Sequence, residues 1–64
     1  MQVNGKQYAF RAGLTLHALL AELRVDQRSV AVVHGDQIHR AGTVPDAPLA
    51  ESDVVEIVTM MQGG

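Results

Sequence analysis

The sequence predicts an α+β domain in which one helix packs across a mixed sheet of four to five strands, closing into a small roll. Three observations predict it. Leu16, Leu19, Leu20 and Leu23 recur at helical spacing, the apolar stripe that a helix lays on a neighbour. Two runs rich in β-branched residues follow, Val30-Ala31-Val32-Val33 and Val54-Val55-Glu56-Ile57-Val58-Thr59, and such residues suit a pleated surface. The opening Met1-Gln2-Val3 runs into Asn4-Gly5, a pair that tolerates the positive φ of a hairpin turn.

Each element has a local reason. Met1–Val3 is expected to be a short strand. Gln7-Tyr8-Ala9-Phe10 alternates and puts both aromatics on one side, as a half-buried second strand would. Ala12-Gly13 ends it. Thr15 stands at the helix N-cap, where its hydroxyl can accept from a free amide of the first turn. Ala18 occupies the position at which a Glu would complete a capping box. A helix this short is unstable alone in water, so its leucines must lie on the sheet. His34-Gly35-Asp36-Gln37 reads as a turn with Ile38 on a short return strand. Pro45 and Pro48 discourage helix and central strand between Arg40 and Leu49. Glu51-Ser52-Asp53 turns the chain into the last and strongest strand. A late strand returning beside the first describes an α+β roll. Residues 1–59 are expected to form the domain, and residues 60–64 a flexible tail.

Composition removes many function classes. With 64 residues the chain is one domain, and a domain of this size buries only about 60% of the surface its unfolded chain exposes. A walled catalytic cleft would use side chains that so thin a core needs. The core must come from Val, Leu, Ile and Ala, since Tyr8 and Phe10 are the only aromatics. No cysteine is present, which removes disulfides, thiolate metal sites and thiol nucleophiles and fits a reducing cytoplasm. Lys6, Arg11, Arg24, Arg28 and Arg40 are scattered and the formal net charge is −2, so no basic footprint marks a nucleic-acid partner. Neither a signal-peptide layout nor an apolar run of the ~20 residues that span a bilayer stands out, and no membrane role is expected.

The last five residues, Met60-Met61-Gln62-Gly63-Gly64, are the most informative. Two closing glycines occur by chance in about 0.5% of chains if glycine is about 7% of residues. A frayed end or a linker remnant would look the same. The functional reading is a carboxylate on a slim lead: lacking Cβ atoms, the backbone can thread a partner's channel and bring the terminal carboxylate to bound ATP. Attack on the α-phosphate would give an acyl-adenylate, open to a sulfur or nitrogen nucleophile. In the preceding strand, if Val55 and Ile57 face the helix, Val54 and Val58 face away. With Met60 and Met61 they would form an apolar patch beside the tail, and such patches mark partner surfaces. Alternatively, the Arg40–Leu49 loop folds back over them.

Other constellations are weaker. His34 and His39 flank the Gly35-Asp36 turn, but no further ligand at recognisable spacing completes a metal site, and no metal is expected. His17 lies off the leucine stripe and reads as exposed. Ser29 and Ser52 lack a glycine elbow, and no phosphate loop precedes the helix. No catalytic residue is expected. Asp46, Glu51, Asp53 and Glu56 read as a solvated acidic rim able to steer docking onto a basic partner.

Taken in order, these residues resemble the ThiS family, the sulfur carriers of thiamine (thiazole) biosynthesis, which have the ubiquitin-like β-grasp fold. The resemblance runs nearly end to end: Val3-Asn4-Gly5, Gly13-Leu14-Thr15-Leu16 with Leu19, Leu20 and Leu23, Val30–Val33 with Arg40, and Leu49, Asp53–Val58 and Gly63-Gly64. Departures are His34-Gly35-Asp36 for Asn-Gly-Glu, His39 for Pro, Ser52 for Gly, and a late start to the first strand. The resemblance implies that Gly64 is the covalent carrier and that Gly63, Gln62, Met61 and Met60 thread into a partner, with Val58 and Val54 on the docking surface. It implies three partners: an E1-like adenylyltransferase that uses ATP, a sulfur-donating desulfurase system, and a thiazole synthase that accepts the sulfur. The chain itself would be no enzyme and would bind no cofactor. Three alternatives stay open: a carrier for molybdopterin or another sulfurated metabolite, a ubiquitin-like modifier joined to lysines through Gly64, and a plain interaction module.

Overall fold

In the computed structural model, which describes residues 1–59, the strands form one mixed sheet under the helix. The elements are β1 (Gln2–Val3), β2 (Lys6–Gln7), α1 (Leu16–Glu22), β3 (Val30–His34), β4 (Gln37–His39) and β5 (Val54–Thr59). The five strands run in the order β2-β1-β5-β3-β4. β1 is antiparallel to β2 and parallel to β5, and β3 is antiparallel to both β4 and β5. This is the β-grasp roll expected from the sequence. The last strand is its centre.

The helix forms where the leucine stripe predicts. Thr15 is extended at φ −121°, and its hydroxyl oxygen accepts from the Ala18 amide at 3.3 Å, satisfying one of the first-turn donors that a helix leaves free. At the other end Arg24 takes a left-handed φ of 58°. The Val25 amide donates to Leu20 O and the Arg24 amide to Ala21 O, the paired bonds that close a helix in a Schellman motif. Leu16, Leu19 and Leu20 are buried, and Leu23 is half-buried. They meet Val3, Val30, Val32 and Val55 from the inner face of the sheet.

The Arg40–Leu49 segment belongs to the same side. Val44 and Leu49 are buried in the core, and the segment runs antiparallel to the helix entrance. Leu16 donates to Ala47 O at 2.8 Å and Leu49 to Leu14 O at 2.9 Å, around a bridge of Thr15 with Pro48. The two amides beside that bridge carry the bonds, so Pro48, which has no N–H, loses nothing there.

One expectation is corrected. β2 is Lys6–Gln7 rather than Gln7–Phe10. Tyr8 and Phe10 leave the sheet to pack half-buried against the core, where the Tyr8 hydroxyl donates to Glu22 Oε1 at 2.6 Å. Arg11 pairs with the same carboxylate. The first turn also does more than reverse the chain. Asn4 has a φ of 53°, a conformation in which Asn is among the few tolerated side chains. Its amide donates to Val55 O at 2.9 Å, and its Oδ1 accepts from the Ile57 amide at 2.7 Å. A side-chain oxygen thus extends the β1–β5 ladder past the point where the backbone turns away.

Asn4→Gly keeps the left-handed turn but deletes that acceptor. A net hydrogen bond is worth about 1 kcal/mol, so native-state amide exchange at Ile57 should accelerate by roughly fivefold while Val32, deep in the sheet, changes less. Equal protection at Ile57 in both proteins would contradict the assignment.

Candidate functional site

The expected chemistry lies at the end of β5. That strand is paired on both sides, by Gln2 and Val3 of β1 at Val54 and Val55, and by the whole of β3 from His34↔Val55 to Val30↔Thr59. At its far end, Val58 and Thr59 are paired by β3 alone. Gly64, Gly63, Gln62, Met61 and Met60, the carrier and threading residues expected from the sequence, lie outside the described residues.

Val54 and Val58 sit on the sheet face away from the helix, 47% and 50% exposed. Residues paired directly across strands share a face. Val33 pairs with Ile38 on one side and Glu56 on the other, and Ala31 with Val58. The outer face therefore carries Ala31, Val33, Ile38, Val54 and Val58 around Glu56, with Ile38 74% exposed. The Arg40–Leu49 loop, which the sequence allowed as a cover, packs Val44 and Leu49 into the opposite face. Among the described residues nothing covers this apolar surface.

Asp46, Glu51 and Glu56 are exposed, as a solvated rim requires, and Asp53 corrects that reading. Asp53 is tied down: the His34 Nε2 lies 2.8 Å from Asp53 Oδ2, and since a carboxylate only accepts, the imidazole nitrogen donates. The Ala50 amide donates to the same oxygen at 2.8 Å. His34 is thereby half-buried rather than a free turn histidine. The pair pins the start of β5 to the end of β3. The hydrogen bond from His34, ahead of that from Ala50, holds the Asp53 carboxyl below the ordinary carboxylate range.

Asp46 accepts from the His17 amide at 3.2 Å and is likewise held low, chiefly by the Thr15 hydroxyl and then by that amide. His17 is half-buried, with Nε2 2.7 Å from Val44 O, so the expectation of an exposed imidazole is corrected too. Glu51 and Glu56 remain exposed. Sequence reasoning missed the histidine partners because they lie 19 and 27 residues away; a register-level strand alignment would have brought His34 toward the start of β5.

What the described residues can do chemically is limited. Among them no group of three or more His, Cys, Asp or Glu side chains could hold a metal ion, and no helix is long and apolar enough to cross a membrane. A depression of about 220 Å³ lined by Gln2, Gln7, Glu51, Ser52 and Asp53 sits at the opposite end of β5 from Thr59. Its half-buried acid is the one already held by His34. What the described residues present is a central strand with an open apolar face along it.

The Asp53 environment makes a pH prediction. Its folded pKa is depressed, so its contribution is present above the unfolded value, about 3.9, and is lost as pH falls through the folded value. The urea midpoint of the wild type should drop between about pH 5 and about pH 2, and Asp53→Asn should be less stable at neutral pH and flatter across that window. Parallel curves for the two proteins would remove Asp53 from the account.

Comparison with known proteins places this geometry. The model of the ThiS family matches residues 1–64. The chain is 44% identical over 52 residues to a protein of Thermus thermophilus named sulfur carrier protein ThiS, covering 81% of each chain. It is also 37% identical over 62 residues to a thiazole synthase of Paramagnetospirillum magneticum, a match that spans 97% of this chain but only 19% of that longer protein. With a family match from end to end and the β-grasp roll in place, the chain belongs to the ThiS family.

Proposed function

We propose that this chain is a sulfur carrier for thiazole formation in thiamine biosynthesis, acting as a co-substrate and not as an enzyme. The observation that carries the reading is the family match over residues 1–64, which takes in the closing Gly63-Gly64. The relative named a sulfur carrier supports the same role. In this scheme the Gly64 carboxylate attacks the α-phosphate of ATP held by an E1-like adenylyltransferase, releasing pyrophosphate. The terminal sulfur of a persulfide, supplied by a desulfurase system, then displaces AMP from the acyl carbon. A thiol reduces the resulting acyl disulfide and leaves a thiocarboxylate on Gly64. Gly63, Gln62, Met61 and Met60 thread the partner's channel, where the two glycines keep the lead narrow.

Docking uses the outer face around Val54 and Val58, whose exposed apolar area gains from being covered. Likeness to a thiazole synthase over 97% of this chain supports thiazole over molybdopterin as the destination, with a thiazole synthase as the proposed acceptor. We place this chemistry in the cytoplasm, whose reducing character fits a chain without cysteine. The chemistry resides in the tail, whereas stability resides in the β5-centred sheet, so the two separate on mutation.

Deletion of Gly64 should abolish sulfur loading and leave the thermal unfolding midpoint within a few degrees of wild type, since the buried core of the described residues, Met1 to Val55, is left intact. Intact-mass spectrometry after incubation with ATP, the adenylyltransferase and a sulfur source reads the result. The wild type should gain the mass of one oxygen replaced by sulfur, localised to Gly64. Normal loading of the deletion variant would end this reading.

A further inference from the structure

Glu56 stands in the middle of the proposed docking face. Along β5 it lies between Val54 and Val58, and across the sheet it pairs with Val33, which pairs in turn with Ile38. Of the strand residues whose pairing puts them on this face, Glu56 alone is charged. It is exposed, and among the described residues the acid–base side-chain contacts are Arg11–Glu22, His17–Asp46, Arg28–Asp26 and His34–Asp53, none of which includes it.

A partner cannot cover Val54 and Val58 without covering the carboxylate between them. Taking an ionised carboxylate out of water without a counter-charge is costly, so a purely apolar surface of matching shape is rejected. We propose that Glu56 is the specificity-determining residue of this face, and that the surface it fits on the acceptor enzyme is an apolar patch carrying one cationic side chain opposite it. An arginine suits the position best, because its planar guanidinium can meet the carboxylate with two parallel hydrogen bonds and is weakly hydrated. The same carboxylate opposes pairing of the face with a second copy of itself, which would press two like charges together.

The inference rests on the sulfur-carrier reading, and one binding experiment separates the two. Wild type, Glu56→Gln, Glu56→Lys and Val58→Asp are titrated against the thiazole synthase of the same organism by calorimetry, at low and high ionic strength. Circular dichroism confirms that each variant is folded, as expected for exposed positions. Glu56→Gln should weaken binding by about tenfold and Glu56→Lys by about a hundredfold or more. The deficit should persist at high salt, because a covered ion pair is screened little.

Glu56→Gln binding as tightly as wild type, with Val58→Asp defective, would keep the docking face and overturn the role of Glu56. A deficit that vanishes at high salt would make Glu56 a long-range steering charge and overturn it too. A folded wild type that does not bind the synthase would overturn the carrier reading and this inference together.

Discussion

The pairing of β5 on both of its edges is the constraint on which the rest of the structure depends. Its Val55 is fully buried beneath the helix, its amides and carbonyls meet β1 on one side and β3 on the other, and its end leads to the terminal residues. In a domain this small the core is too thin to spare a strand. The last strand is therefore the least removable one. A carrier needs such a body, a fixed surface for a partner to grip.

Contacts distant in sequence hold β5 in place, and several of them are polar. Asn4 lends an oxygen to the Ile57 amide, and Asp53 is held by His34 and Ala50. The helix is clamped from outside by Asp46 on the His17 amide and by His17 on Val44 O. Each bond is modest in net worth, but each also fixes a register, and register decides which side chains face the helix and which face solvent. A slip of one residue along β5 would bury Glu56 and expose Val55. The open face with Val54 and Val58 is thus a consequence of the same register that builds the core.

Much of this was legible in the sequence, for reasons that differ by element. The helix was readable because Leu16, Leu19, Leu20 and Leu23 report a local period, and Thr15 a local capping preference. β3 and β5 were readable because runs of valine and isoleucine have few other uses. The outward direction of Val54 and Val58 followed from strict alternation once Val55 was taken as buried. The second strand misled because the alternation of Tyr8 and Phe10 is equally met by an irregular segment whose aromatics reach the helix end.

The clamp by Asn4, the His34–Asp53 pair and the His17–Val44 bond left no local signature. Their partners are chosen by the fold, and neither period nor propensity encodes a contact across 53 residues. At the terminus the situation is reversed: Gly63-Gly64 is a strong sequence signal, and the described residues stop at Thr59.

The most direct test of the account is a transfer measurement. The chain is prepared as its Gly64 thiocarboxylate with labelled sulfur, freed of ATP and the activating enzyme, and given to the thiazole synthase with the remaining thiazole precursors. The label should move stoichiometrically into the thiazole, and the chain should return with an ordinary carboxylate. Thiazole formed without label, while the thiocarboxylate persists on the chain, would contradict it.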